Sequence, residues 1–261
     1  MDSTPAWGIF ALSVAAVMIA IEVGYRGGRR IRDRTEDEKE SPVSAISGTT
    51  LGLLAFILAF TFAIVSDRFD TRKALVRDEA NALRTAYARS EFLPQPDRNE
   101  AKTLLRAYVD DRLIAVQSGD LDRVSNALVR ADHTQRRLWD MAVANARQDM
   151  NSDVAALYIE ALNEVTNLHA LRVAIGLQAR IPPTVWLVLI ALIMLSMIGV
   201  GYQTAIAGSR RTWASFFLAL SFSLVIMLIV ELDRPQAGSI AVSQQPLVDL
   251  KTWMAADPNG P

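Results

Sequence analysis

His133 and His169 are the only imidazoles in the chain. His133 stands in Arg130-Ala131-Asp132-His133-Thr134 on a charged helical face, and His169 follows Asn167-Leu168 beside an apolar stripe. Both read as exposed or partly packed side chains, and nothing in their spacing asks for a metal. Asp110 and Asp111 are adjacent carboxylates. Neighbours on a helix point about 100° apart, so this pair makes no acid–base dyad by itself. The absence of cysteine removes disulfides, iron–sulfur clusters and thiolate zinc sites. There is no GxSxG, P-loop, HExxH or dinucleotide fingerprint. The chain is therefore not read as an enzyme, and neither a metal nor another cofactor is expected.

A second set of residues suits ions rather than bond chemistry. Arg68, Arg72 and Lys73 stand in the first turns beyond an uncharged stretch. Repeated around an axis by several subunits, they would make a basic ring, and such rings concentrate anions. The plainer reading pairs them with Asp70, beside Arg77 with Asp78, in surface ion pairs worth little, or takes them as arginines snorkelling from a span end. Phe56 and Phe60 lie one helical turn apart just before them. Apolar rings at an axis form a constriction that gates by dewetting.

The elements that position these residues come from where charge is missing. Of 261 residues, 51% are hydrophobic and 21% charged, but stretches 5–21, 51–66, 181–209 and 212–230 hold no Asp, Glu, Lys or Arg. Such lengths match a bilayer core of about 30 Å. The first stretch lacks a basic leader and is followed by arginines rather than a cleavage site, so it reads as a retained helix. Span one is expected over 5–24 and a polar loop over 25–44. Span two covers 45–66 and continues as a long helix to about 93, because no Gly or Pro interrupts Leu53–Leu93. Pro94 and Pro96 end it. Residues 67–181 carry three amphipathic stripes. The first runs through Ala101, Leu104, Leu105, Tyr108 and Val109, and the second, after Gly119-Asp120, through Val124, Leu128, Ala131, Leu138 and Met141. The third follows the caps Asn151-Ser152-Asp153 and runs through Val154, Leu157, Tyr158, Ala161, Leu162, Val165 and Leu168. Spans three and four are expected over 183–203 and 212–232, with a mostly irregular tail over 233–261. The fold class is thus an all-α integral membrane protein with four transmembrane helices. Their plan is two-plus-two, with a helical extramembrane domain between helices two and three. With 27 basic and 28 acidic residues, no global field selects nucleic acid. Membrane lipid is the one partner composition demands.

Span two sorts its side chains by size. Gly48, Gly52, Ala55, Ala59 and Ala63 form a stripe at helical spacing, the kind that lets membrane helices approach closely. Leu53, Phe56, Phe60 and Ile64 lie on another face, and Thr49, Thr50 and Thr61 are its polar side chains before Ser66. Stripes and ladders of this kind also occur in ordinary packed helices.

The run Gly52-Leu53-Leu54-Ala55-Phe56-Ile57-Leu58-Ala59-Phe60-Thr61-Phe62 is followed by Arg68, Arg72, Leu75, Val76 and Glu79-Ala80-Asn81-Ala82. With Tyr87, Arg89 and Leu93-Pro94, then Leu105, Tyr108 and Arg112, it resembles the bacterial bestrophin-like family, and the likeness covers almost the whole chain. Glu79, Asn81, Tyr87, Arg89 and Pro94 carry that motif. More remotely, the plan is similar to true bestrophins, pentameric anion channels whose second helix lines a phenylalanine-bearing neck. That resemblance implies a homo-oligomer in a bacterial inner membrane, an inorganic anion as passenger, and Phe56 and Phe60 as neck candidates. Ile57 and Ile64 replace them if the helix is rotated, with Thr49 on the same pore-candidate set. No acidic cluster matches the bestrophin calcium site, so calcium gating is not implied.

Orientation has two answers. Loop 25–44 holds six Lys/Arg and the hinge near 210 holds Arg210 and Arg211. By the positive-inside rule both loops are cytoplasmic and the helical domain lies outside, whereas the bestrophin resemblance implies the opposite. The charge rule is followed here. The alternative function is a membrane-anchored sensor or interaction module whose helical domain binds a partner or small ligand.

Overall fold

The first helix does not stop where its apolar run does. In the computed structural model, which describes residues 5–33, 40–117, 121–178, 180–209, 213–234 and 240–257, α1 spans Ala6–Arg32. The second helix, α2, spans Glu40–Arg89. The polar loop expected over 25–44 is therefore helical at both ends, and its residues 34–39 lie outside the described residues. The reason lies in packing. Gly24 lies against Ile198, Gly28 against Tyr202 and Gly201 against Ile21, so closely that a methyl group on Gly24 or Gly201 would overlap the opposite backbone. Arg29, Arg30 and Arg32 close the last turn, where cations favour the helix dipole. Arg32 Nη1 also donates to the Ala205 carbonyl at 3.0 Å.

After α2 come a 3₁₀ turn at Ser90–Phe92, α3 (Asp97–Gln117), α4 (Leu121–Ala146) and α5 (Asp153–Val173), the last ending in a π-helical turn at Ala174–Gln178. Then follow α6 (Pro183–Ile206), α7 (Trp213–Asp233) and α8 (Gln245–Ala255). No strand occurs among the described residues. Among the described residues, four helices, α1, α2, α6 and α7, are long and apolar enough to cross a membrane. At 50 residues α2 is ~75 Å long, more than twice the hydrocarbon thickness. The protein is a multi-pass, all-α membrane protein.

The chain divides into two compact units, Met1–Arg68 with Arg180–Ile240, and Phe69–Ala179 with Ala241–Pro261. In the first, α1 packs on α6 and α7. The span of α2 lies along α6, fixed by Ser47 Oγ donating to the Gly199 carbonyl at 3.1 Å and by Gln203 Nε2 donating to Ser44 Oγ at 3.0 Å. At the far end of α7, Glu231 and Arg234 are a buried pair at 3.2 Å.

In the second unit the core is built from Leu83, Tyr87, Leu105, Tyr108, Leu138, Tyr158, Val165 and Leu247. Ser152 caps α5, its Oγ accepting the Ala155 N–H at 3.2 Å. Two residues of the expected α5 stripe, Val154 and Leu157, are exposed instead. They precede the point where the helix meets the core, which begins at Tyr158. The Gly119-Asp120 break lies outside the described residues. The tail expected to be irregular contains α8, which buries Leu247, Leu250 and Met254. Pro246 in its first turn supplies a preset φ.

Candidate functional site

Within its span α2 turns one face inward. Ser47, Leu54, Leu58, Thr61 and Val65 are buried, and at 100° per residue they fall within one narrow sector. Roughly opposite stand Thr49, Phe56 and Phe60, with Phe56 65% and Phe60 61% exposed. Thr49 satisfies its hydroxyl on its own helix, donating to the Ala45 carbonyl at 2.8 Å. Ile64 is exposed and Ile57 half-buried, both to one side of the phenylalanines. The small stripe lies to the other side. Gly48, Gly52, Ala55, Ala59 and Ala63 are all exposed, and a methyl group on Gly48 or Gly52 would meet open space. The close approach that glycine allows is used by α1 and α6 instead.

A groove runs along each flank of this exposed face. One, of about 410 Å³, is lined by Ala55 and Ala59 of α2 with Phe222 and Val225 of α7. The other, of about 420 Å³, is lined by Ile57, Phe60 and Ile64 with Val185 and Val188 of α6, and Arg68 stands at it. Arg68 lies 3.8 Å from the Asp233 carboxylate, which also accepts the Ile181 N–H at 3.2 Å. Further along α2, Arg72 is only 6% exposed. Lys73 is exposed, as are the acids Asp67 and Asp70. Of the three basic residues singled out in the sequence, one faces solvent freely, one is partly withdrawn towards a carboxylate, and one is buried.

Where α2 enters the second unit it buries an acid. Glu79 is fully enclosed, with Arg112 Nε 3.0 Å from Oε1 and Arg172 Nη1 hydrogen-bonded to Oε2. Tyr108 Oη is 3.3 Å from Oε1 and 2.8 Å from His169 Nδ1, and it accepts from Gln135 Nε2 at 3.2 Å. Burial, together with the neighbouring Glu79 charge, pushes the Tyr108 hydroxyl well above its ordinary pKa. Burial and then the Arg112 charge hold His169 below the ordinary imidazole value.

A second cluster ties down the C-terminal segment. Lys102 Nζ, buried, pairs with Glu91 and lies 2.8 Å from Asp257, which also accepts the Tyr87 hydroxyl at 3.0 Å. Burial opposes the Lys102 charge, but the bonds to Asp257 and Glu91 outweigh it and raise its pKa. Arg106 donates to Tyr87 Oη and to the Met254 carbonyl, and the Arg84 guanidinium sits 4.6 Å over the Trp253 ring.

A bestrophin-like domain matches residues 10–247. The chain belongs to the bestrophin-like family. Its fold is similar to that of a bacterial bestrophin homolog from Klebsiella pneumoniae, a single-substitution variant. The TM-score is 0.67 at 15% identity, over 95% of this chain and 96% of that one. A second solved structure, described as a membrane protein, gives a TM-score of 0.66 at 17% identity over 97% and 98% of the two chains. No curated protein matches the sequence. Identities this low establish a shared fold.

The bestrophin-like motif residues do not form one site. Glu79 sits in the buried ion network and Tyr87 in the C-terminal cluster. Arg89 donates to the Leu157 carbonyl and pairs with Glu160 at 3.0 Å, tying the end of α2 to α5. Asn81 is exposed, its carbonyl accepting the Thr85 hydroxyl at 3.0 Å, and Pro94 is exposed at the corner before α3. Among the described residues of this bestrophin-like chain, no group of three or more His, Asp or Glu is placed to hold a metal ion. Sequence reasoning missed the positions of His169, Lys102, Arg106 and Asp257 in these clusters. A buried lysine on an otherwise amphipathic helix was the available signal, since Lys102 falls between Ala101 and Leu105 on the core side.

Proposed function

We propose that the protein assembles as a homo-oligomer, a pentamer by its bestrophin resemblance, and conducts ions along an axis lined by α2. The observation that carries this reading is the pair Phe56 and Phe60, exposed on the side of α2 turned away from the protomer's own packing in a bestrophin-like chain. Exposure of phenylalanine to lipid costs nothing, so the family and the face act together here. Turned to an axis, Phe56 and Phe60 give two apolar rings about 6 Å apart along the helix, and Ile64 continues the row. Rings so spaced exclude water and pass ions only when they widen. Thr49 lies on the same side and offers a wetter approach.

An anion is the passenger the resemblance favours, and Lys73 with the solvent-facing part of Arg68 would draw it in. Asp67 and Asp70 oppose this, so the sign of selectivity is set by their balance.

Flux from liposomes holding the purified protein tests the reading, with chloride and potassium followed in parallel. Phe56→Ala with Phe60→Ala should raise ion flux about tenfold, equivalent to ~1.4 kcal/mol of barrier. Absence of flux from both wild type and variant, in well-folded oligomer, would exclude conduction. A protein that is monomeric or dimeric in lipid would favour the sensor or interaction module instead.

A further inference from the structure

The Tyr108 hydroxyl has one proton and two acceptors within reach. His169 Nδ1 is 2.8 Å away and Glu79 Oε1 3.3 Å away, while Gln135 Nε2 donates to the same oxygen at 3.2 Å. The imidazole is itself a bridge. Its Nε2 lies 3.3 Å from Asp132, whose side chain is 55% exposed, while His169 is buried. A neutral ring facing a carboxylate at Nε2 keeps its proton there, because a carboxylate only accepts. Nδ1 is then an acceptor and takes the Tyr108 proton, in keeping with the shorter of the two distances. When the ring takes up a second proton, Nδ1–H must donate. The Tyr108 oxygen then accepts from both His169 and Gln135, and its own proton has only Glu79 left.

We propose that His169 is a proton-sensing residue: on protonation by way of the exposed Asp132 it reverses the Tyr108 hydrogen bond and delivers it to Glu79 on α2. No bond other than hydrogen bonds changes, and the added proton comes from solution. The groups facing the ring are Glu79 from α2, Tyr108 and Arg112 from α3, Asp132 and Gln135 from α4, and Arg172 from α5 itself. Arg112 and Arg172 resist a further positive charge, and Glu79 and Asp132 favour it. Burial adds to the resistance, so the response belongs to acid conditions below the ordinary imidazole range. Glu79 sits on the helix whose span carries Phe56 and Phe60, so the change reaches the element proposed to line the axis. The inference itself stands on hydrogen-bond geometry and needs no conduction.

Magic-angle-spinning NMR of the full-length protein in lipid tests it, with labelled histidine and glutamate and with His133→Gln to leave a single imidazole. Expected is a neutral ring protonated at Nε2 near pH 7.5. On acidification the Glu79 carboxylate, assigned by Glu79→Gln, should shift with the same midpoint as His169. Asp132→Asn, at an exposed position, should move that midpoint to lower pH. Tyr108→Phe should uncouple the Glu79 shift from the ring. A ring protonated at Nδ1 would overturn the proposal. So would a Glu79 signal unmoved as His169 titrates, or a midpoint unmoved in Asp132→Asn. The wild-type tautomer decides even where a variant fails to fold.

Discussion

Glu79 is held by two arginines that lie far from it in sequence, Arg112 on α3 and Arg172 on α5. Removing one partner of a buried ion pair leaves an uncompensated charge, at ~3–5 kcal/mol. Arg172→Met should therefore lower the melting temperature sharply, and Arg172→Met combined with Glu79→Gln should recover part of the loss. A melting temperature unchanged by the single variant would show that the pair is solvated. The same unit carries a pH dependence with a definite sign. The folded-state pKa of His169 lies below the ordinary 6.5. The unfolded chain therefore takes up its proton first, and stability falls as pH drops through 6.5 towards the folded value. His169→Gln should flatten that slope in melts run from neutral to acid pH, and an unchanged slope would assign the loss to other groups. At this scale the sequence was partly legible. Glu79 stood out through its family motif, and the amphipathic stripe anticipated Tyr108 inside. The partners did not stand out, because contacts spanning 29 to 93 positions leave no trace in local spacing. Arg72 illustrates the same limit. Its residue type and place at the span exit suggested a solvent-facing charge, and the fold buries it.

Helices were easier to read than their ends. Uncharged length located the four spans, and the unbroken run from Leu53 marked α2 as one long helix. The end of α1 was misplaced because the arginine-rich segment after Gly24 holds few apolar residues and reads as a loop, whereas Gly28 within it lets α1 approach Tyr202 and Ala205. The last helix was missed because several proline and glycine residues around it read as irregular tail. Pro246 opening a turn before Leu247, Leu250 and Met254 carried the signal. Glycine now divides into two kinds with opposite predictions. Gly201→Ala pushes a methyl group into the Ile21 backbone and should sharply reduce the yield of folded protein. Gly48→Ala faces open space and should leave the protomer fold intact, with a gain of up to ~1 kcal/mol from helix propensity. Circular-dichroism melts of both, in detergent, check the contrast. Equal stability of the two variants would contradict the α1–α6 crossing.

Across the whole molecule, neutrality conceals structure. Between positions 67 and 181 the sequence holds 17 basic and 17 acidic residues, and many are spent on internal pairs rather than on an external field. The span of α2 does the reverse, leaving a face of phenylalanine and a face of small residues exposed. The two-plus-two plan and the family were legible from charge gaps and motif. What that free face meets was not, since one chain contains only its own half of any contact between copies. Imaging the intact protein in lipid nanodiscs by single-particle cryo-EM addresses this directly. The expected density is several copies around one axis, with α2 innermost and Phe56 and Phe60 pointing into the central passage. A monomer, or a ring with α2 turned outward to lipid, would contradict it.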